Sequence, residues 1–284
     1  MSLSALSLIS GLFWVELTSK QALVCPIQYF DDCLQQLSLD TRAQLSGIHE
    51  QLVHDMSGRS VMVLPLKDER VAGLVLTAPE HQLYTQVLHL NTEIFEFTLY
   101  EQEELSLWHE MGHLEAQDLA NSVFERPLTP FEHEWIADCF VIWKVAHHKP
   151  NFTLAWQQYH RRNIDVMSHM ASLSHWTVPV LWTVLKEFDL QSLRSFIHFK
   201  DFLQAYLDLR ALPSKNDLFE LSGLLQQTFA VKTSTSLPHY LYWRKTELTR
   251  YLRPTLEALM GEDKASDWIN SSNLYLKNGE KTRK

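Results

Sequence analysis

Two histidines four residues apart constrain the fold of this chain more than any other feature. They frame the sequence His109-Glu110-Met111-Gly112-His113. On an α-helix, residues four apart lie on the same face, about one turn from each other, so both imidazoles can reach one metal ion. The glutamate between them projects alongside, where it can accept a proton from water. The pattern therefore predicts a helix that carries two metal ligands and a base.

The residues around this pattern favour a helix. Thr98 and Glu101 have the spacing of a capping box, and acidic residues occupy the predicted first turn, where the helix dipole is positive. Apolar residues recur with the helical period at Leu105, Trp108, Met111, Leu114 and Leu119. Gly112 in mid-helix costs about 1 kcal/mol relative to alanine. Close approach of another segment beside the metal would explain that cost.

A second helix is predicted between Thr129 and Pro150. Thr129 is suited to the N-cap, Pro130 to the first helical position, and Glu132 to the third. The helix ends before Pro150, because the residue that precedes a proline avoids the helical conformation. Both predicted helices thus have sequence signals for their ends, and they follow each other closely in the sequence.

Within the second helix, Glu134 and Asp138 are four residues apart and share a face. Glu134 can complete a site of two histidines and one glutamate around zinc, with Asp138 accepting the remaining N–H of a ligating histidine and fixing its tautomer. Two alternatives remain for the third ligand, His133 and Glu132. Asp138 is alternatively a surface charge, and the two motif histidines are alternatively ordinary residues of a surface helix.

The spacing of these residues resembles the active-site pattern of gluzincins, the branch of the zincin metallopeptidases typified by thermolysin. The resemblance covers about residues 60–148. It implies that His109, His113 and Glu134 bind one Zn²⁺ per chain, that Glu110 is the general base, and that Asp138 orients His109. A metzincin would need Gly and His three and six residues after the second histidine, where this chain has other residues. Peptide deformylase would need an upstream cysteine ligand, and the sequence has no cysteine between Cys33 and Cys139.

The resemblance implies a zinc-dependent metallopeptidase that hydrolyses peptide bonds with Glu110 as general base. The alternative is a catalytically silent, zincin-like protein that regulates a partner protein. Retention of Glu110 favours the enzyme, because a purely structural metal site needs no base. A downstream histidine, His160, His169 or His175, could stabilise the oxyanion, but the sequence does not select one. Neither the substrate nor the oligomeric state follows from the sequence.

The composition is that of a globular protein. The chain has 284 residues, of which 45% are hydrophobic and 21% charged, enough for one large or two modest domains. Its formal net charge is −9, and no cluster of Lys and Arg lies outside the C-terminal tail. This disfavours a nucleic-acid partner. The expected partner is therefore a peptide or protein substrate, and no membrane association is expected.

Three cysteines without framework spacing suit a reducing compartment, so we expect buried free thiols, although Cys25 and Cys33 could pair. The apolar stretch from Leu3 to Val15 is not preceded by a basic residue and is shorter than a membrane span. It favours a buried strand or helix. The expected location is the cytoplasm, and export is the alternative if Leu3–Val15 is the core of a signal peptide.

The predicted fold is α+β and mostly helical. A zincin-like catalytic lobe (1–150), with a small sheet over the active-site helix, is followed by an all-helical lobe (151–276) and a polar tail (277–284). One amphipathic helix is expected over residues 40–56, and strands over 60–66, 71–77 and 86–90. By analogy with zincins, the last of these is the candidate edge strand for an extended substrate. Further helices are expected over residues 152–170, 178–188, 190–209, 217–229 and 239–260.

Overall fold

The computed structural model describes residues 11–210, 212–229, 239–272 and 274. The fold is α+β and mostly helical, as predicted, with a four-stranded sheet packed on the helix that carries the histidine pair. The chain forms two compact units, each built from non-consecutive segments. The first contains the described residues up to Tyr84 together with Leu99–Ala155 and Phe188–Leu209. The second contains Thr85–Thr98, Trp156–Glu187 and the described residues from Arg210 onwards.

Within the described residues, six strands form two sheets. The strands are β1 (Phe13–Glu16), β2 (Gln21–Pro26), β3 (Val61–Pro65), β4 (Val71–Thr77), β5 (Thr85–Leu90) and β6 (Glu93–Thr98). The larger sheet has the order β1-β2-β4-β3, in which β2 and β4 are parallel and the other pairs antiparallel. Its central strand β2 is buried from Ala22 to Cys25, as expected for a strand covered on both faces.

The predicted strand over residues 86–90 exists, but its expected position was wrong. It is β5, which pairs with β6 in a separate two-stranded sheet. The edge of the larger sheet that packs on the motif helix is instead β3. A strand that follows a turn can pair forwards or backwards, and the local pattern of apolar residues does not distinguish the two.

Twelve α-helices accompany the strands in the described part of the chain. They are α1 (Phe30–Gln35), α2 (Leu39–Gln44), α3 (His49–Asp55), α4 (Gln102–Ser122), α5 (Pro130–His148), α6 (Thr153–Ser168), α7 (Val178–Glu187), α8 (Leu190–Ser195), α9 (Phe199–Leu209), α10 (Lys215–Phe229), α11 (Lys245–Met260) and α12 (Glu262–Ser271).

Three predicted helices are each interrupted. The helix expected over residues 40–56 is divided into α2 and α3 at Gly47, whose φ of +77° lies in the left-handed region that favours glycine. The helix expected over 190–209 is divided into α8 and α9, with Phe196 in an extended conformation. The helix expected over 239–260 begins as a 3₁₀-helix, His239–Arg244, before α11. In each case the helical period of apolar residues continues across the interruption.

The start of the motif helix also differs from its prediction. Thr98 does not cap α4, because it lies in β6 and pairs with Thr85. The helix begins after Glu101, which has a φ of +49° and makes no side-chain capping bond. The Glu101 carboxylate instead accepts a hydrogen bond of 2.6 Å from Lys149, just after α5. The negative charge near the α4 N-terminus is thus paired with a cation as well as with the helix dipole.

Cys25 and Cys33 form a disulfide, so the expectation of free thiols was wrong for this pair. Strand β2 ends next to the start of α1, which brings the two Cα atoms to 6.1 Å, within the usual range for a disulfide. Cys139 is a buried free thiol, as expected.

Within the described residues no helix is long and apolar enough to cross a membrane. Of the apolar stretch Leu3–Val15, the end forms part of β1, and residues 3–10 lie outside the described residues. The predicted polar tail, 277–284, also lies outside them.

Candidate metal centre

Helices α4 and α5 approach each other most closely at Gly112. A Cβ atom placed there would lie 2.6 Å from the Cα of Ala137 and 2.9 Å from its carbonyl oxygen. Any larger residue would therefore push the helices apart. The close approach anticipated from the glycine is confirmed, and the segment that approaches is the α5 turn between Glu134 and Asp138.

The N-terminus of α5 is fixed by the predicted capping box. The Thr129 hydroxyl accepts a hydrogen bond from the Glu132 N–H, and the Glu132 carboxylate accepts one of 2.7 Å from the Thr129 N–H. The Arg126 guanidinium also binds this carboxylate, at 2.5 and 3.0 Å. These bonds, the one to Arg126 above all, lower the pKa of Glu132 to about 2. Glu132 is thus an ion-paired capping residue, which argues against its alternative role as third ligand.

The two helices bring His109, His113 and Glu134 together. The Nε2 atom of His109 lies 3.5 Å from one carboxylate oxygen of Glu134, and the Nε2 atom of His113 lies 3.7 Å from the other. The two imidazole rings meet edge to face, with their centroids 4.7 Å apart. One donor atom from each residue lies within 4.8 Å of the others, so the group could hold a metal ion.

These separations can be compared with those that a tetrahedral metal requires. Zinc binds imidazole nitrogen and carboxylate oxygen at about 2.0–2.2 Å, which places neighbouring ligand atoms roughly 3.3–3.5 Å apart. The two nitrogen-to-oxygen distances of 3.5 and 3.7 Å are close to that range. These two distances run to different oxygens of Glu134, and one donor atom from each of the three residues lies within 4.8 Å of the others. The chemistry of the donor set therefore fits zinc. About 11–17% of each of the three side chains is exposed, so solvent can reach the group.

Asp138 lies on the other side of the His109 ring. One of its carboxylate oxygens is 2.9 Å from Nδ1 of His109, and its side chain is fully buried. A proton on Nδ1 donated to this carboxylate leaves the lone pair of Nε2 directed toward Glu134 and His113. Asp138 is thus buried in contact with a histidine, rather than on the protein surface.

Glu110 lies on α4 between the two histidines and is partly buried. One of its carboxylate oxygens accepts a hydrogen bond of 3.1 Å from the main-chain N–H of Val63 in β3. Sequence reasoning missed this contact, because a main-chain donor 47 residues upstream leaves no pattern in residue types. The free edge of β3 is therefore next to the base predicted from the motif.

His133, the other alternative ligand, is placed differently. Its ring centroid is 6.4 Å from that of His113, and it does not belong to the group of possible ligands found among the described residues. In α5 it precedes Glu134 and therefore points about 100° away around the helix axis. The arrangement thus favours Glu134 as the third member of the group.

Comparison with protein-family models, curated proteins and solved structures found no match to this chain. The functional conclusion therefore rests on the site itself.

Proposed function

We propose that this protein is a zinc-dependent metallopeptidase with its site on α4 and α5. The observation that carries the proposal is the convergence of two imidazole nitrogens and one carboxylate, with a buried aspartate bonded to the far nitrogen of one imidazole. Two histidines, a glutamate and a position open to solvent are the ligand set of catalytic zinc sites, whereas structural sites are usually closed by four protein ligands.

Each side chain has a distinct role in this proposal. His109, His113 and Glu134 hold one Zn²⁺, which acts as a Lewis acid toward the scissile carbonyl and lowers the pKa of water to about 7. Glu110 accepts the proton of the attacking water and delivers it to the leaving amine. Asp138 holds His109 in the tautomer whose Nε2 is available to the metal.

Two features support an enzyme over a silent regulatory protein with the same fold. Glu110 retains the carboxylate required of a general base. The candidate ligands also retain some exposed surface, so water and substrate have access to them. A substrate that is a peptide or protein is part of the proposal, and it follows from the resemblance to gluzincins.

Substitution of the base tests the proposal most sharply. Glu110→Gln keeps the shape of the side chain and removes its basicity, so we expect zinc content to be unchanged and hydrolysis of a mixed peptide library to fall roughly a hundredfold or more. Glu103→Gln is the matched control. It removes a carboxylate from the same helix, but this carboxylate accepts a hydrogen bond from the Tyr84 hydroxyl and does not belong to the candidate site. Full activity in Glu110→Gln, or no hydrolysis by the zinc-loaded wild type, would contradict the proposal.

A further inference from the structure

The pairing register of β3 with β4 determines which main-chain N–H groups of β3 bond to β4 and which point to the opposite edge of the strand. Ala78 donates its N–H to the Ser60 carbonyl, and Leu66 donates its N–H to the Ala72 carbonyl. Hydrogen-bonded pairs in an antiparallel ladder alternate with non-bonded pairs, so residues 60, 62, 64 and 66 bond to β4. The N–H groups of Val61 and Val63 therefore point to the outer edge of β3, which is its free edge in that no other strand of the described residues pairs with it there.

The position of Pro65 in β3 agrees with this assignment. Pro65 has no N–H, and it lies in the same orientation as Val61 and Val63, opposite Gly73. Proline is accepted within a strand where its nitrogen faces away from the ladder. The free edge of β3 therefore presents N–H groups at residues 61 and 63, but not at residue 65.

The N–H of Val63 is bonded to the carboxylate of Glu110. The distance is 3.1 Å, and the two residues belong to the same compact unit. A carboxylate at the end of a glutamate side chain rotates freely unless something holds it, and a hydrogen bond from a main-chain N–H in a sheet is a rigid restraint. Glu110 is thus held at the sheet edge next to His109 and His113, which precede and follow it on α4.

We propose that the main-chain N–H of Val63 positions the Glu110 carboxylate for proton transfer. The inference rests on the proposed function, since it assigns a positioning residue to the same reaction. One Glu110 oxygen is fixed by the strand, and the orientation of the other is thereby fixed relative to the histidine pair. A base held in the right orientation raises the rate of the chemical step without changing the affinity for substrate.

Removing the N–H tests the catalytic part of this proposal. Val63→Pro deletes the donor at a position where the ladder to β4 does not need it, and Val61→Pro is the matched control on the same edge. We expect kcat to fall about tenfold or more in Val63→Pro, with KM, zinc content and unfolding midpoint close to those of Val61→Pro. Equal kcat in the two variants would overturn the proposal, as would a loss of zinc and stability in Val63→Pro that Val61→Pro does not share, which would indicate a purely structural role for the contact.

Amide hydrogen exchange tests the contact without depending on activity or metal. In the wild-type protein the Val63 amide is expected to be protected, and in Glu110→Ala it should exchange at least tenfold faster. The amides of Met62 and Leu64, which bond to β4, should be unchanged by that substitution and so report that the sheet is intact. Rapid exchange at Val63 in the wild type, or no effect of Glu110→Ala, would overturn the proposal. If exchange behaves as expected but the zinc-loaded wild type hydrolyses no peptide, the proposed function has failed and the contact stands.

Discussion

The carboxylate of Asp138 is fully buried beside the His109 ring, whereas Glu134 faces the Nε2 atoms of both histidines. The two acidic residues share one face of α5, so the sequence alone could not rank them firmly. Their distances to His109 distinguish them, because Asp138 contacts the Nδ1 side of the ring and Glu134 contacts the Nε2 side. Asp138 therefore has the position of a supporting residue and Glu134 that of a ligand.

This difference leads to a prediction about metal affinity. Asp138→Asn keeps a hydrogen-bond acceptor near Nδ1 but loses the negative charge, so zinc affinity should fall about 10- to 100-fold. Glu134→Ala removes a ligand and should leave no stoichiometric zinc at micromolar protein. Competition titration with a chelator measures both variants. The reverse ranking would make Asp138 the ligand and Glu134 the supporting residue.

At the level of elements, the site depends on how closely α4 and α5 pack, and that distance is set by Gly112 against Ala137. A second glycine acts on the other side of α4. A Cβ atom at Gly73 in β4 would lie 2.8 Å from the Leu114 side chain and 2.6 Å from the Leu64 carbonyl. The motif helix is thus held between the sheet and α5 by two positions that accept no side chain.

Gly112→Ala tests this packing. Alanine has a higher helix propensity than glycine, which stabilises the helix by about 1 kcal/mol. Overpacking of its methyl group against the α5 backbone costs about 1–3 kcal/mol. We expect a lower unfolding midpoint and weaker zinc binding, because the ligands on α4 and α5 move apart. Gly11→Ala is the control, since a Cβ atom there would have no atom of the described residues within 4 Å. A Gly112→Ala protein with wild-type midpoint and zinc affinity would show that the close approach does not position the ligands.

The convergence of His109, His113 and Glu134 could be predicted from the sequence because its signals are local. Helical spacing placed His109 beside His113 and Glu134 beside Asp138, and the Thr129 capping box fixed the start of α5. Interruptions such as Gly47 were missed, because the helical period continues across them.

Pairings between distant segments could not be read from sequence. Strand β2 received no prediction, and β5 was assigned to the wrong sheet. The bond from Val63 to Glu110 and the return of residues 188–209 to the first unit also depend on contacts between segments far apart in the chain.

At the scale of the whole molecule, the second unit has its own buried polar network. Pro254 lies inside α11 and has no N–H to complete the helical ladder. The carbonyl of Tyr251, one turn earlier, accepts hydrogen bonds from the Tyr159 hydroxyl at 2.5 Å and from the Asn163 amide at 2.9 Å. The missing N–H of Pro254 would have bonded to the carbonyl of Arg250, four residues earlier. Side chains of α6 thus bond to the α11 main chain at the neighbouring carbonyl, in the turn that precedes the proline.

His160 belongs to the same network and makes the stability of the protein dependent on pH. Its Nδ1 lies 3.0 Å from the Thr255 hydroxyl, its ring packs against Phe97 and Trp156, and burial lowers its pKa from 6.5 to about 4. Between these two values the unfolded chain binds the proton and the folded chain does not. The contribution of the neutral imidazole to the free energy of unfolding is therefore complete above pH 6.5. As the pH falls toward 4, the free energy of unfolding decreases by at most ~3 kcal/mol.

Substitution of His160 should remove this dependence. His160→Asn keeps a polar group near the Nδ1 position but cannot take up a proton, so its free energy of unfolding should decline less than that of the wild type between pH 6.5 and 4. Urea unfolding at several pH values measures the difference, and His54→Asn, at an exposed position, is the control. A wild-type slope in His160→Asn would mean that other groups account for the acid sensitivity.

The central claim is that His109, His113 and Glu134 form one metal site. The most direct test is the metal content of the purified protein, measured by mass spectrometry after incubation with zinc and removal of free ions. The wild type should hold one zinc ion per chain and His113→Ala close to none, while His54→Asn should retain one. Equal zinc in the wild type and His113→Ala, or no zinc in either, would contradict the claim.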